Sequence, residues 1–285
     1  MSTAMFDHRL LQTCKFAVID PSMTEHLPHG VNPAPMVPPP FARSAHLMPT
    51  LLELGTLTPV QSSALLQAMD DAAALDQLPI VSIFINTDAG RERHVSHWNS
   101  LQLCRFGSAQ QKWLRLHDAR VLHQLLRLLT PMQQTQLFGP STALTYWLGG
   151  EWLRADRPQT ESTAGTKSSW DWPRIERIGL VNRALARASV RSASALNAQG
   201  ARVEQLLEHA AVTHGFIHPD DLVEFAYRGL VCVPQFDEIP SIKARLHRPD
   251  DEDDSLLADR FALVEPQTWA EVALPPANEE QGIAS

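Results

Sequence analysis

The chain has 285 residues with a formal net charge of −8, and its sequence pI is about 5.8. A hydrophobic fraction of 44% and a charged fraction of 20% are typical of globular proteins and exclude a chain that is disordered throughout. The acidic balance argues against a nucleic-acid partner, because phosphate binding draws its affinity from clustered Lys and Arg. At this length we expect two packed lobes, since single domains commonly have about 100–150 residues.

The cysteines and the N-terminal residues indicate the compartment. Cys14, Cys104 and Cys232 lie far apart and form no CxxC pair, so neither a disulfide framework nor a thiolate zinc site is predicted. The opening residues, MSTAMFDHRLLQ, contain no basic segment followed by the apolar core of a secretion signal. No run approaches the roughly 18 apolar residues that a membrane-spanning helix needs. We therefore expect a cytoplasmic protein with no membrane partner.

Strand signals are concentrated in the first half of the chain. Three apolar runs predict buried strands: Phe16–Ile19, Ile80–Ile85 and Trp113–Leu116. The second run is the richest in β-branched residues and is predicted to be a central strand, covered on both faces. The aromatic stretch from Leu144 to Leu153 predicts a closing strand or a hairpin that turns at two consecutive glycines.

Helix signals alternate with these strands. Thr58 and Thr130 each precede a Pro and stand three residues before a Gln, which is a capping box with Pro at the first helical position. Asp118 is placed to cap a third helix, whose leucines recur at helical spacing. A fourth helix is predicted over Arg93–Leu103. The Pro-rich stretch 28–41 is predicted to be an extended surface loop or linker.

The predicted fold class is mixed α/β (α+β), with a small mixed sheet flanked by helices in the N-terminal lobe and an all-helical C-terminal lobe. The predicted divisions are an α/β lobe over 1–155, a linker over 156–169, a helical lobe over 170–250 and an acidic loop and tail over 251–285. The linker is assigned because residues 155–169 are small, polar and rich in helix breakers.

A dense polar cluster follows the third apolar run. Arg115, His117, Asp118 and Arg120 offer an acid, a base and an anion clamp, the groups that a catalytic site requires. The alternative is structural, with Asp118 capping the helix and both arginines holding its carboxylate. We favour the structural interpretation and predict no catalytic residue. The contiguous motifs of hydrolases, nucleotide binders and metalloenzymes do not occur in the sequence, which weakens the case for an enzyme without closing it.

Histidines raise the question of a metal site. His94 and His97 have helical i,i+3 spacing, and His209, His214 and His218 surround a predicted helix end. A zinc site requires a third or fourth ligand, which the sequence does not supply in register. We therefore predict no metal and no cofactor, and expect the first two histidines to be partly exposed on their helix.

Three stretches of the sequence together resemble a known family. The first is FAVID at 16–20 with HLMPTL at 46–51, the second is WLRLHDARVL at 113–122 with FGP at 138–140, and the third runs from 215 to 240. In order and spacing they are similar to the adaptor chaperones of bacterial type VI secretion, the Tap or TEC family. The resemblance covers residues 16–246 and departs from the family pattern at His117 and Ala119. The residues matching the family's structural motif are Asp20, Arg115, Asp118, Arg120, Phe138, Gly139 and Pro140.

The resemblance implies a non-enzymatic cytoplasmic protein that binds a cognate toxic effector and delivers it to the spike protein VgrG. An unrecognised cytoplasmic enzyme using Arg115, His117 and Asp118 stays as the alternative. We expect the helical lobe to contact the effector, because aromatic anchors dominate interfaces and acidic residues select basic clients. The candidate effector-binding residues are Phe225, Tyr227, Leu230, Phe236, Asp237 and Glu238.

Overall fold

The structure is a computed structural model that describes residues 7–75, 77–106, 110–159, 169–247 and 254–275. The chain separates into two compact units, Met1–Ile175 and Glu176–Ser285. Most of the predicted linker, over 160–168, lies outside the described residues. Within the described ranges, no helix combines the length and the apolar character that crossing a membrane requires.

A six-stranded sheet forms the centre of the first unit. The strands described in this unit, which include a separate pair, are β1 (Phe16–Ile19), β2 (Ala34–Pro35), β3 (Thr50–Glu53), β4 (Val81–Asn86), β5 (Leu103–Phe106), β6 (Gln110–Trp113), β7 (Ala143–Leu148) and β8 (Glu151–Asp156). The main sheet has the order β2-β3-β1-β4-β7-β8, and β5 and β6 pair separately. Every pairing is antiparallel. The predicted mixed α/β class is confirmed, as are the interior position of β4 and the β7–β8 hairpin, while the sheet is antiparallel where a mixed one was expected.

The strand predicted at Trp113–Leu116 is misplaced by several residues. Pairing with β5 ends at Trp113. The backbone N–H of Leu114 then donates to the carbonyl of Gln102, and that of Leu116 donates to the carbonyl of Leu114, so the chain turns here. The apolar pattern reflects burial of the two leucines in a turn, not a strand.

Three helices of the first unit begin where the capping signals predict. The helices of this unit are α1 (Leu10–Thr13), α2 (Pro59–Ala74), α3 (Arg91–Gln102), α4 (Ala119–Leu128), α5 (Pro131–Phe138) and α6 (Trp172–Glu176), the last of which ends at the boundary of the unit. The three that begin at predicted caps are α2, α4 and α5. In α2, the N–H of Gln61 donates to Oγ1 of Thr58 at 3.3 Å, and the N–H of Thr58 donates to the Gln61 side chain at 3.0 Å. The same reciprocal pair opens α5 at Thr130. Both capping boxes are confirmed.

The strands β1 and β4 are buried on both faces. On one face, Ala17 and Phe84 pack in a cluster with Leu65 and Met69 of α2. On the other, Phe16 is fully buried, with its ring 5.2 Å from the ring of His94 in α3. Successive side chains of a strand point to opposite faces, so this two-sided burial accounts for the nearly continuous apolar sequences of both strands.

The Pro-rich stretch 28–41 is more ordered than a linker. Residues 34–35 form the edge strand β2, where proline is tolerated because one side needs no N–H donor. The N–H of Met36 donates to the carbonyl of Pro49 at 2.9 Å, and the Met36 side chain is fully buried. Asn99 of α3 donates to the carbonyl of Val37 at 3.3 Å. The stretch therefore completes one edge of the sheet, which corrects the loop prediction.

The second unit is helical, as predicted. Its helices are α7 (Ile178–Arg187), α8 (Ala193–Thr213), α9 (Pro219–Val231), α10 (Pro240–Lys243), α11 (Leu257–Phe261) and α12 (Pro266–Val272). In the part of this unit that the structure describes, β pairing is confined to an isolated bridge between Cys232 and Ala273.

The segment predicted as an acidic loop and tail, 251–285, is described only over 254–275, where it forms α11 and α12. Leu257, Phe261 and Val272 are buried in the apolar cluster of the second unit. The N–H of Leu257 also donates to the buried carboxylate of Asp221 at 2.7 Å. These contacts make α11 and α12 part of the helical core, and the short, sparse apolar pattern of the two helices concealed this in the sequence.

Candidate functional site

The polar cluster at 115–120 is built around the start of α4. Oδ1 of Asp118 accepts hydrogen bonds from the N–H and the Nε of Arg120, each at 3.0 Å, and Oδ2 accepts from Nη2 at 2.8 Å. Burial raises the pKa of the Asp118 carboxyl, but the hydrogen bonds and charge of Arg120, with the charge of Arg115, outweigh it and hold the pKa below its ordinary value. Asp118 therefore acts as the ionised cap that the structural interpretation predicted.

Arg115 has a different contact from the one predicted. It is exposed, and its guanidinium lies over the ring of Trp113 at 5.6 Å from the centroid. Its influence on Asp118 is through its charge. The prediction that both arginines hold the carboxylate is thus correct for Arg120 and is corrected for Arg115.

His117 lies beneath this cluster and contacts Asp20, a residue of the first family-like stretch. The His117 side chain is fully buried and stacks on Trp113, with ring centroids 5.5 Å apart. Its Nε2 lies 3.5 Å from Oδ2 of Asp20. Burial lowers the pKa of His117 to about 4, although the nearby carboxylates of Asp20 and Asp118 oppose the shift. The imidazole is therefore neutral near pH 7, and the first two family-like stretches meet at this contact.

The turn at Phe138, Gly139 and Pro140 packs against the histidines of α3. Gly139 has a φ of +54°, and a Cβ at this position would lie 2.2 Å from Nε2 of His97. That nitrogen donates a hydrogen bond to the carbonyl of Leu137 at 3.0 Å. Phe138 is 1% exposed. Glycine is required here both by the backbone conformation and by the nearby ring.

His94 differs from its expected exposure. It is fully buried, and its Nε2 lies 3.0 Å from Oγ1 of Thr87, which in turn donates to the carbonyl of Pro140 at 2.8 Å. Burial lowers the pKa of His94 to about 4. The expectation of a partly exposed side chain is therefore wrong for His94, because α3 turns this residue toward β1.

The aromatic candidates for effector contact are more buried than residues that contact a partner directly. Phe225 and Phe236 are 0% and 2% exposed and belong to the apolar cluster of the second unit, so the structure places them in its core. Tyr227 is half-buried beneath Arg187 and Arg228, whose guanidinium carbons lie 4.7 and 5.5 Å from the ring centroid.

The three remaining candidates differ in exposure. Leu230 is half-buried, and Glu238 is exposed with its carboxylate 2.6 Å from Nζ of Lys243. Asp237 is buried and contacts two histidines. Exposure leaves Tyr227, Leu230 and Glu238 as the candidates for direct contact, and their role stays a prediction.

A buried acidic residue beside Tyr227 was not found from the sequence. Glu224 of α9 is 1% exposed, with one carboxylate oxygen 2.5 Å from Nη2 of Arg187 and the other 2.8 Å from Nε of Arg228. The guanidinium carbon of Arg228 also lies 4.1 Å from the ring centroid of Trp269. The i,i+4 spacing of Glu224 and Arg228 was visible in the sequence, but Arg187 is contributed by α7.

His209, His214 and Asp237 form a second cluster. The sequence grouped the two histidines at a helix end but did not identify Asp237 as their partner. Oδ2 of Asp237 lies 2.9 Å from Nε2 of His209 and 3.0 Å from Nε2 of His214. Burial raises the pKa of Asp237, but hydrogen bonds from the two histidines outweigh it and keep the pKa below its ordinary value. His218, which the sequence grouped with these histidines, instead accepts the N–H of Asp220 at 3.3 Å and caps α9.

Comparison with known families identifies part of the first unit. Residues 16–136 match a family described as "Domain of unknown function (DUF4123)". The matched region is less than half of the chain and contains the contact between Asp20 and His117. Neither the curated proteins nor the solved structures contain a match to this chain. Residues 16–136, which lie within the first unit, are therefore similar to this family.

Proposed function

We propose that this protein is a cytoplasmic, non-enzymatic adaptor chaperone of type VI secretion that binds a cognate toxic effector and loads it onto the VgrG spike. The observation that carries the proposal is the DUF4123 match over 16–136, which contains the first stretch that resembles these adaptors and residues 113–122 of the second. The protein is a chaperone in the sense that it holds its client until delivery. We assign it no cofactor and no nucleic-acid partner.

The roles of the family-like residues support a structural purpose for the motif. Asp118 caps α4, and Gly139 supplies a conformation that closes the turn after α5. Asp20 accepts the N–H of Ser22 at 2.9 Å while its second oxygen faces His117. These side chains are occupied with holding the N-terminal unit together, as expected if the unit presents a rigid surface to a partner.

We assign effector contact to the second unit. Tyr227, Leu230 and Glu238 are its exposed or half-exposed candidates, and Glu238 supplies a negative charge for a basic client. Charge complementarity of this kind mainly sets partner choice and association rate. The first unit, which contains the DUF4123 match, is then available for the spike.

Co-expression tests the proposal directly. The protein is expressed with the effector and the VgrG protein encoded beside it, and the mixture is separated by size-exclusion chromatography. We expect co-elution with the effector and with VgrG, and no co-elution with an effector encoded beside a different VgrG. Separate elution of the chain from both of its neighbours would contradict the adaptor role.

Truncation tests the assignment of the two surfaces. Because the compact first unit ends at Ile175, the truncated chain should contain residues 1–175, since a cut at 155 would remove the end of β8. We expect this fragment to lose effector binding and to keep any contact with VgrG. Full effector affinity in the fragment would reverse the assignment and point to the β7–β8 hairpin.

The alternative is an enzyme that uses the cluster around His117. One observation favours it: among the residues that the structure describes, neither ring nitrogen of His117 has a hydrogen-bond partner, and unsatisfied buried polar groups sometimes mark functional sites. The complete burial of the ring argues against substrate access. An Asp118→Asn variant that folds as the wild type does should retain effector binding. If it loses a measurable catalytic rate instead, the enzyme interpretation is correct.

A further inference from the structure

We propose that His209, His214 and Asp237 form a binding site for a zinc ion in the second unit. The three side chains offer two imidazole nitrogens and one carboxylate oxygen, all within 4.8 Å of one another. Imidazole together with carboxylate suits zinc and the neighbouring late transition metals, whereas magnesium and calcium prefer oxygen ligands alone. This inference is independent of the adaptor role.

The distances approach those of a metal shell. Nε2 of His209 and Nε2 of His214 lie 2.9 and 3.0 Å from Oδ2 of Asp237. In a tetrahedral zinc site with bonds of about 2.0–2.1 Å, neighbouring ligand atoms lie about 3.3 Å apart. The two nitrogen–oxygen distances need to lengthen by only a few tenths of an ångström to reach this value. The rings of His209 and His214 are nearly perpendicular, at 83°, which allows both nitrogens to face the same oxygen.

The surroundings of His209 accommodate the tautomer that binds metal. A neutral imidazole carries one N–H, and coordination through Nε2 requires this hydrogen to be on Nδ1. Nδ1 of His209 lies 3.0 Å from Oγ1 of Thr213, one helical turn further along α8. Without metal, the Nε2–H of His209 donates to Asp237 and Nδ1 accepts the Thr213 hydroxyl. With zinc on Nε2, the proton lies on Nδ1 and the hydroxyl oxygen accepts it, so the ring keeps the same neighbour and orientation. Such outer contacts accompany most zinc-bound histidines.

Burial gives the site a closed side and an open side. The side chains of His214 and Asp237 are each 7% exposed, while that of His209 is 43% exposed. An ion therefore enters past His209, and water fills the remaining coordination position. His247 is exposed nearby, with its ring centroid 6.1 Å from that of His214. Three protein ligands with one open position is the arrangement of zinc sites that exchange their fourth ligand.

Zinc at this position would link separate parts of the chain. His209 lies in the last turns of α8, His214 directly follows that helix, and Asp237 belongs to the short turn of 3₁₀ helix at Phe236–Glu238. A ligand that binds only the folded chain stabilises it in proportion to its concentration over its Kd. Zinc should therefore raise the thermal stability of the second unit.

The experiment titrates zinc sulfate alone into the full chain after removal of metal with a chelator. Competition with a chromogenic zinc indicator measures affinity, and circular dichroism at 222 nm follows thermal unfolding. We expect one zinc ion per chain and a higher Tm. The His209→Ala variant should fold, because its side chain is exposed on one side, and should bind zinc at least on the order of 100-fold more weakly, given that losing even an outer partner costs about 10–100-fold.

Two further variants make the result decisive. Asp237→Asn keeps the shape and one hydrogen-bond acceptor but removes the charge, and it should also lose zinc binding. His29→Ala removes an exposed histidine of the first unit and should bind zinc as the wild type does. Equal affinity in the wild type and in both site variants, or no zinc-dependent rise in Tm, would show that the cluster is a hydrogen-bonded triad only.

Discussion

Replacing Asp118 separates the two interactions that begin α4. Asp118→Ala removes the cap on the N–H of Arg120 and the paired contacts with its guanidinium. A lost cap costs about 0.5–2 kcal/mol. The ion pair adds about 0.2–1 kcal/mol, because the Arg120 side chain is 58% exposed and water screens it. We expect the free energy of unfolding of the first unit to fall by about 1–3 kcal/mol at pH 7.

Two companion variants divide this loss. Asp118→Asn keeps a side-chain oxygen for the cap and removes the charge, and Arg120→Ala removes only the pair. Both should cost less than Asp118→Ala, by about the value of the cap. Urea unfolding followed by tryptophan fluorescence is a suitable assay, because six of the seven tryptophans belong to the first unit. The reasoning is refuted if Asp118→Ala unfolds at the wild-type urea concentration, or if Asp118→Asn is equally destabilised.

Asp118 should also make the stability of the first unit depend on pH. The folded-state pKa of Asp118 lies below its ordinary value of 3.8, so the unfolded chain binds a proton more readily. The stability that ionised Asp118 contributes is therefore present above about pH 3.8 and is lost as the pH falls through the lower, folded-state pKa. Asp118→Asn should remove this part of the acid sensitivity, which urea titrations between pH 5 and the acid limit of folding would measure.

Three other predictions concern single sites. His94 has a folded-state pKa of about 4 against an ordinary value of 6.5, so acidification from pH 6.5 to pH 4 should destabilise the first unit by about 3 kcal/mol through this residue. His94→Gln should therefore reduce the slope of stability against pH, and His46→Gln, at an exposed position, serves as the control. Gly139→Ala should lower the Tm more than Gly150→Ala does. Both glycines have a positive φ, but only the Cβ added at Gly139 would meet the ring of His97, and equal falls in Tm would contradict this. Glu224→Gln should lower the free energy of unfolding by about 1–3 kcal/mol, because it weakens two charge-assisted contacts. Urea unfolding followed by circular dichroism at 222 nm measures this, and an unchanged midpoint would show that the contacts with Arg187 and Arg228 contribute nothing to stability.

The sequence was most informative where a structure depends on neighbouring residues. The capping boxes at Thr58 and Thr130 and the cap at Asp118 each require partners within three positions, so the residue pattern was sufficient. The apolar sequence of β4 likewise reported its interior position.

Features that depend on distant partners were missed. The edge strand β2 lies in a Pro-rich stretch without a β signal, and its pairing depends on β3, which begins 15 residues after its last residue. Asp237 follows His214 by 23 positions, and no local spacing relates them to one site. The helices α11 and α12 are short and bury few residues, so their place in the core follows from their contacts with distant residues, including the bond from Leu257 to Asp221 of α9.

The strand order of the main sheet also determines how the chain must behave during synthesis. One edge of β4 pairs with β1, which precedes it, but its other edge waits for β7, and residues 87–142 separate the two strands. At roughly 5–20 residues per second, a ribosome takes about 3–11 seconds to make that interval. During this time the nascent chain exposes a strand edge and the apolar side chains of Ile83 and Ile85, which are fully buried in the finished sheet. Slow translation of 87–142 should therefore favour aggregation, while slow translation after the β7–β8 hairpin has left the ribosome should not, because the hairpin then covers the edge.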